Sequence, residues 1–228
     1  MTTLLLIRHA TTATTGARLG GRTETGLDER GRAQAQAAAR RLADLPLKAV
    51  YGSPLARSRQ TAELLAAPHG LAVQPLEGLV EVEYGRWTDR PLKPLARTKL
   101  WPVVQARPSL ARFPDGESIR QAQLRAVDAV EELVARHPRD VIAAVTHADV
   151  IKAVVAFYVG LPLDLFQRLQ VGPASVTVLR LSAGGQPVLL RFNDDGPLTA
   201  DGLRPPRRRP AGKSAGRTGS SAGASRKA

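Results

Sequence analysis

Two histidines and two arginines stand where short apolar runs give way to small polar residues. In "LLLIRHATTATTG", positions 4–16, an apolar run ends directly in Arg8 and His9. Arg57 follows the run "KAVYGSP" (48–54), and His147 closes "DVIAAVTHA" (140–148). Arginine presents a planar fork of donors that matches phosphate oxygens and keeps its charge. A neutral imidazole can attack phosphorus and carry the phosphoryl group itself. Together these four residues suit phosphoryl transfer, with charge neutralised by guanidinium groups. No carboxylate cluster has the spacing of a Mg²⁺ or Zn²⁺ site, so neither a metal nor another cofactor is expected.

The elements that must position these residues follow from patterning. "TLLLI" (3–7) and "DVIAAVTHA" are continuous apolar runs, as in strands buried on both faces. Residues 48–54 and "LAVQPL" (71–76) read as two more strands. Helices are expected from an N-cap at Asp28 to a stop at Pro46, over 55–67, over 117–137 and over 149–160. "SVTVLRL" and "PVLLRF" flank "SAGGQ", a hairpin signal. Residues 77–116 read as an irregular lid or insertion. Alternating strands and helices predict a three-layer αβα fold with a mostly parallel central sheet. In such sheets ligands bind beyond the carboxyl ends of the strands, where Arg8, His9, Arg57 and His147 converge.

Composition narrows the class. The chain has 228 residues, no cysteine, 43% hydrophobic residues and a net charge of +13. It has no disulfide framework, no signal-peptide core and no apolar run that could span a membrane, so a cytoplasmic location is expected. Eight basic residues and no acid lie between Arg204 and Ala228; subtracting those eight from +13 leaves +5 for residues 1–203. The chain thus divides into a catalytic domain at 1–194 and a basic Pro/Gly/Ser/Arg-rich tail at 195–228, expected to be disordered. Such a tail suits nucleic acid or an acidic partner, or is a passive extension. The absence of stacking aromatics favours the passive reading. Homo-oligomerisation is left open.

Six segments in order resemble one family. "IRHATT" is similar to the RHG/RHA signature of the histidine phosphatase superfamily, the phosphoglycerate mutase-like family. "GRTETGLDERGRAQA", "SPLARSRQTAE", "LVEVEYGRW", "FPDGES" and "VTHADVIKA" resemble its later blocks. The resemblance spans roughly residues 3 to 193 and implies the same mostly parallel sheet flanked by helices. It implies His9 as nucleophile, Arg8 and Arg57 as the phosphoryl clamp, and His147 as the completion of that pocket. Glu81, four before Gly85, is implied as general acid and then base. Thr12, Thr15 and Gly21, with Arg8, Arg57 and His147, are the expected substrate-binding positions.

Five positions depart from the family pattern. Ala10 replaces the signature glycine, Thr15 an asparagine and Glu24 an aspartate. His147-Ala148-Asp149 stands for His-Gly-Gly, so Asp149 either caps the next helix or lines the pocket. The activity implied is a metal-independent phosphomonoesterase acting on a small phosphorylated metabolite through a phosphohistidine on His9. Alternatives are a phosphomutase and a phosphate-binding protein without chemistry. Outside this set, Arg59, His69, His137, Trp87 and Trp101 are expected to be structural.

Overall fold

The computed structural model describes residues 1–196, Thr199 and Leu203. The basic stretch on which the tail reading rests, Arg204 onward, lies outside the described residues, so that reading stays an expectation. Six strands form the main sheet: β1 (Thr2–Arg8), β3 (Leu47–Gly52), β4 (Val73–Pro75), β6 (Val141–Thr146), β7 (Val176–Leu181) and β8 (Val188–Asp194). Their order is β4-β3-β6-β1-β7-β8. The β4/β3, β3/β6 and β6/β1 pairs are parallel, whereas β7 pairs antiparallel with β1 and with β8. Helices α1 (Glu29–Leu42) and α2 (Ala56–Ala66) cover one face, and α5 (Ile119–Arg136) and α6 (Ala148–Tyr158) cover the other.

The apolar runs have the cause the patterning suggested. Along β1, Leu5 and Ile7 join the core under α1 and α2, while Leu4 and Leu6 join the core under α5 and α6. All four are fully buried, so no polar alternation is possible. The parallel pairing with β6 requires a helical crossover, and the sequence supplies one on each side of the sheet. Asp28 caps α1 by accepting from Gly31 N at 2.6 Å. Ser118 and Gln121 form a reciprocal capping box on α5. Two expected elements are shorter than their patterns. α1 ends at Leu42 rather than at Pro46, with a turn between. β4 keeps only three residues, because it is an exposed edge strand containing Pro75.

Residues 77–116 are built rather than loose. They contain 3₁₀ turns at Glu77–Leu79 and Gly85–Trp87, then strand β5 (Arg90–Pro91) and helices α3 (Leu92–Leu95) and α4 (Trp101–Ala106). Trp87, Leu95, Val104 and Phe113 form a third apolar cluster with Phe166 and the outer side of α6. Trp87 and Trp101 stack within this region with ring centroids 6.3 Å apart, a packing role. β5 pairs with β2 (Arg18–Leu19), which ties this segment to the loop after β1. His137 bonds Tyr51 and Asp140, and Arg59 pairs with Glu63 on the surface. After β8, Arg41 donates to the carbonyls of Asp194 and Gly196, and Leu203 is buried in the core beside α1. No helix among the described residues is long and apolar enough to cross a membrane.

Candidate active site

The ends of three neighbouring parallel strands create the site. Each ladder is extended one residue past its strand: His9 N donates to Thr146 O at 2.8 Å and Ser53 N donates to Val145 O at 2.9 Å. These bonds set Arg8, His9, Ser53 and His147 side by side on rigid backbone. α2 then starts just beyond β3. Ser58 Oγ donates to Val145 O, and Thr61 Oγ1 accepts from Ala10 N. Arg57, on the first turn of that helix, is thereby aimed between the histidines. On the other side, Gly31 lets α1 pack against the loop after His9; a Cβ there would fall 2.0 Å from Thr11 O.

All the central groups are buried: His9 is 7% exposed, Arg57 4%, Glu81 8% and His147 0%. The ring centroids of His9 and His147 are 5.1 Å apart. His9 Nδ1 donates to its neighbouring carbonyl Ala10 O at 2.7 Å. That bond leaves the lone pair on Nε2, which accepts from Arg57 Nε at 3.2 Å. For His147, Nδ1 accepts from Arg57 Nη2 at 3.3 Å and Nε2 donates to Ser53 Oγ at 2.8 Å. Arg57 is braced from behind by the carbonyls of Gly21 and Thr23. Arg8 donates from Nη1 to Val171 O at 2.7 Å, while its buried Nε has no partner. Arg8 lines a cleft of about 230 Å³ together with His9, Arg57 and Glu81.

Electrostatics follow from burial. The His9 pKa is lowered to about 3, by desolvation first and then by the Arg57 charge. Burial, followed by His9 and Arg57, holds His147 well below its ordinary value. Both rings are therefore neutral at physiological pH. Desolvation also lowers Arg8 and Arg57, yet an arginine starts high enough to stay charged. Glu81 moves the other way. Burial first, and the Asp149 charge second, push it up to about 7. The cleft thus combines a neutral nucleophilic nitrogen, two fixed cations and a carboxyl group poised to give or take a proton near neutrality.

Glu81 sits on the built segment rather than on a strand end. Its Oε2 lies 3.8 Å from His147 Nδ1, and Oε1 accepts from Val82 N at 2.9 Å. Thr146 Oγ1 donates to Leu79 O, tying the loop to the end of β6. Arg125 of α5 donates to the carbonyls of Gly78, Val80 and Glu81, and Arg22 reaches the Glu81 carbonyl as well. Glu117 holds Arg125 through two hydrogen bonds, at 3.1 and 2.7 Å. The turn closes at Gly85, whose φ of +52° and contact with Pro114 O leave no space for a Cβ.

The structure brings together all eight residues singled out from sequence, in differing ways. Arg8, His9, Thr12, Thr15, Gly21, Arg57 and Glu81 line the cleft. His147 lies directly behind it, against Arg57 and Glu81. Thr15 Oγ1 accepts from Thr12 N, so it shapes the loop as well as facing the cleft. Gly21 acts through its carbonyl on Arg57. Glu24 accepts from Ala56 N, at the start of α2. Asp149 lines the cleft and does not cap α6, whose N-cap is His147. Sequence reasoning missed Tyr84, Ser53 and the Arg125–Glu117 clamp. Ser53 and Tyr84 lie inside the quoted segments "SPLARSRQTAE" and "LVEVEYGRW", but their partners are set only by the fold.

A family model for the histidine phosphatase superfamily (branch 1) matches residues 4–195. The chain belongs to that superfamily. Among relatives of this histidine phosphatase, phosphoserine phosphatase 1 of Hydrogenobacter thermophilus is 27% identical over 198 residues, covering 85% of this chain and 92% of that protein. A probable phosphoglycerate mutase GpmB of Erwinia tasmaniensis is 29% identical over 181 residues, covering 78% and 84%. A solved mycobacterial glucosyl-3-phosphoglycerate phosphatase superposes with a TM-score of 0.71 at 29% identity, covering 78% and 89%. The similar proteins are thus phosphatases and mutase-like enzymes sharing the three-layer fold.

Proposed function

We propose that this histidine phosphatase hydrolyses a small phosphate monoester through a phosphohistidine on His9, without a metal ion. One observation carries the reading: the Nε2 lone pair of a neutral His9, fixed by the Nδ1 bond to Ala10 O, accepts from the buried Arg57 guanidinium in a cleft that Arg8 also lines. His9 Nε2 attacks phosphorus as the bond to the leaving oxygen breaks. Arg8 and Arg57 neutralise the phosphoryl oxygens, and His147 backs the pocket against Arg57. Glu81 passes its proton to the leaving alcohol. It then takes a proton from water, which attacks phosphorus, releases phosphate and restores His9. Removing one donor of such a clamp typically costs about 10²–10³ in rate.

The test is chemical trapping. Acid-labile phosphate should appear on the protein after quenching with a phosphomonoester and disappear in His9→Ala, with turnover unchanged in excess EDTA. Loss of turnover in the chelator overturns the metal-independent reading. Similarity to a mutase supports a second reading, in which the phosphate returns to another hydroxyl of the substrate. Isomerised product without free phosphate would establish it.

A further inference from the structure

Beyond the phosphoryl pocket, the cleft leaves space for whatever the phosphate is attached to, and threonine hydroxyls line that space. Thr14 and Thr15 come from the loop after β1, and Thr23 and Thr25 from the stretch before α1. These hydroxyls bond chiefly to neighbouring hydroxyls. Thr12 Oγ1 lies 3.3 Å from Thr14 Oγ1 and 3.1 Å from Thr15 Oγ1, and Thr25 Oγ1 donates to Thr23 Oγ1 at 3.3 Å. A hydroxyl donates and accepts and rotates to suit, so such a wall can exchange its internal bonds for those of a polyhydroxyl ligand.

Asp149 and Tyr84 also line the cleft. Asp149 Oδ2 accepts from the Tyr84 hydroxyl at 2.9 Å. Its Oδ1 meets Lys152 Nζ at 3.1 Å, but that ammonium also bonds Gln167, stands over the Phe166 ring and does not line the cleft. Arg8 and Arg57 are committed to the phosphoryl group. The remaining cleft arginine, Arg18, is bound through two hydrogen bonds to Asp89, at 2.7 and 3.2 Å. A second anion on the leaving group would therefore meet the Asp149 carboxylate and no unpaired cation among the described cleft residues. The acid stands in the His147-Ala148-Asp149 block, where the family pattern often has glycine.

We infer that the substrate is the phosphate monoester of a neutral, hydroxyl-rich alcohol of the sugar or polyol class, and that Asp149 discriminates against leaving groups carrying a carboxylate. This inference rests on the phosphomonoesterase reading above. Glycerol 3-phosphate and 3-phosphoglycerate share a three-carbon skeleton and differ by a hydroxymethyl against a carboxylate. Phenyl phosphate serves as a reference ester with neither group. The full chain should hydrolyse phenyl phosphate and favour glycerol 3-phosphate over 3-phosphoglycerate by about tenfold in kcat/KM, the scale of one like-charge contact in a partly screened cleft. Asp149→Asn should cut that ratio by about threefold or more, because the amide keeps the shape and loses the charge.

No hydrolysis of phenyl phosphate overturns the hydrolase reading. Hydrolysis of phenyl phosphate with 3-phosphoglycerate equal or preferred overturns the substrate class alone. A preference unchanged in folded Asp149→Asn overturns the assignment to Asp149.

Discussion

The two halves of the active site are held by different physics. Arg8, His9, Ser53 and His147 sit at the ends of β1, β3 and β6, where ladder hydrogen bonds and buried runs on both faces fix the backbone. Glu81 and Tyr84 sit on a segment with no place in the main sheet. The backbone of that segment is held by side chains reaching in from elsewhere: Arg125 and Arg22 at the Glu81 carbonyl and Thr146 at the Leu79 carbonyl. The proposed phosphoryl-binding half is thus a property of the sheet. The proposed proton-transferring half depends on a clamp of named side chains, and a single substitution can loosen it.

The largest effect is expected in the sheet half. His9→Ala should lower kcat by at least about 10³-fold and abolish the trapped phosphoenzyme, with a near-normal melting temperature. Full activity in that variant would break the comparison outright. Arg57→Ala should cost about 10²–10³-fold in kcat.

Glu81→Gln should cost about 10²-fold on alkyl phosphates and less on aryl phosphates, whose leaving groups need little protonation. With the Glu81 pKa at about 7, turnover limited by phosphorylation of His9 should fall as pH rises through 7, and Glu81→Gln should flatten that limb. Stability carries the same sign. The folded state holds the Glu81 proton above the ordinary value of 4.5, so its contribution is full below 4.5 and is lost as pH rises through about 7. Thermal melts across that range should show the slope in wild type and a reduced slope in Glu81→Gln.

Arg125→Ala sharpens the comparison most directly. It leaves three carbonyls of the Glu81 segment without that donor. It should lower kcat on alkyl phosphates about tenfold while phosphoenzyme formation from an aryl phosphate changes less. An equal loss on both ester types would show that the clamp supports the sheet half as well. The smallest effect is expected at Arg18→Ala. Its pair with Asp89 is 39% and 52% exposed, and removing it should shift stability by under about 1 kcal/mol in a melt.

This division also explains what the sequence made legible. A strand end announces itself locally, since an apolar run followed by Arg8-His9 or Thr146-His147 already implies a crevice. The first helix was visible from Asp28, which caps through a bond three residues away. Legibility failed where partners lie far apart in the chain. Arg125 clamps carbonyls 44 to 47 positions earlier, and Asp149 meets Tyr84 across 65 positions. No pattern in "EVEYGRW" reveals either contact. The antiparallel placement of β7 against β1 was hidden for the same reason: the hairpin signal shows that β7 and β8 pair, but not which strand they join.

That placement has a consequence for how the protein is made. β1 is the first strand to emerge, yet its two neighbours in the sheet are β6 and β7, more than 130 residues later. Until β6 has been synthesised the segment bearing Arg8 and His9 has neither flanking strand, and until β7 follows, near residue 181, one edge of its apolar run stays open to wrong partners. Pairings of such sequence separation close slowly. The two histidines should therefore reach their positions in one late step, so that N-terminal fragments bind no phosphate and activity appears only as the sheet closes around β1.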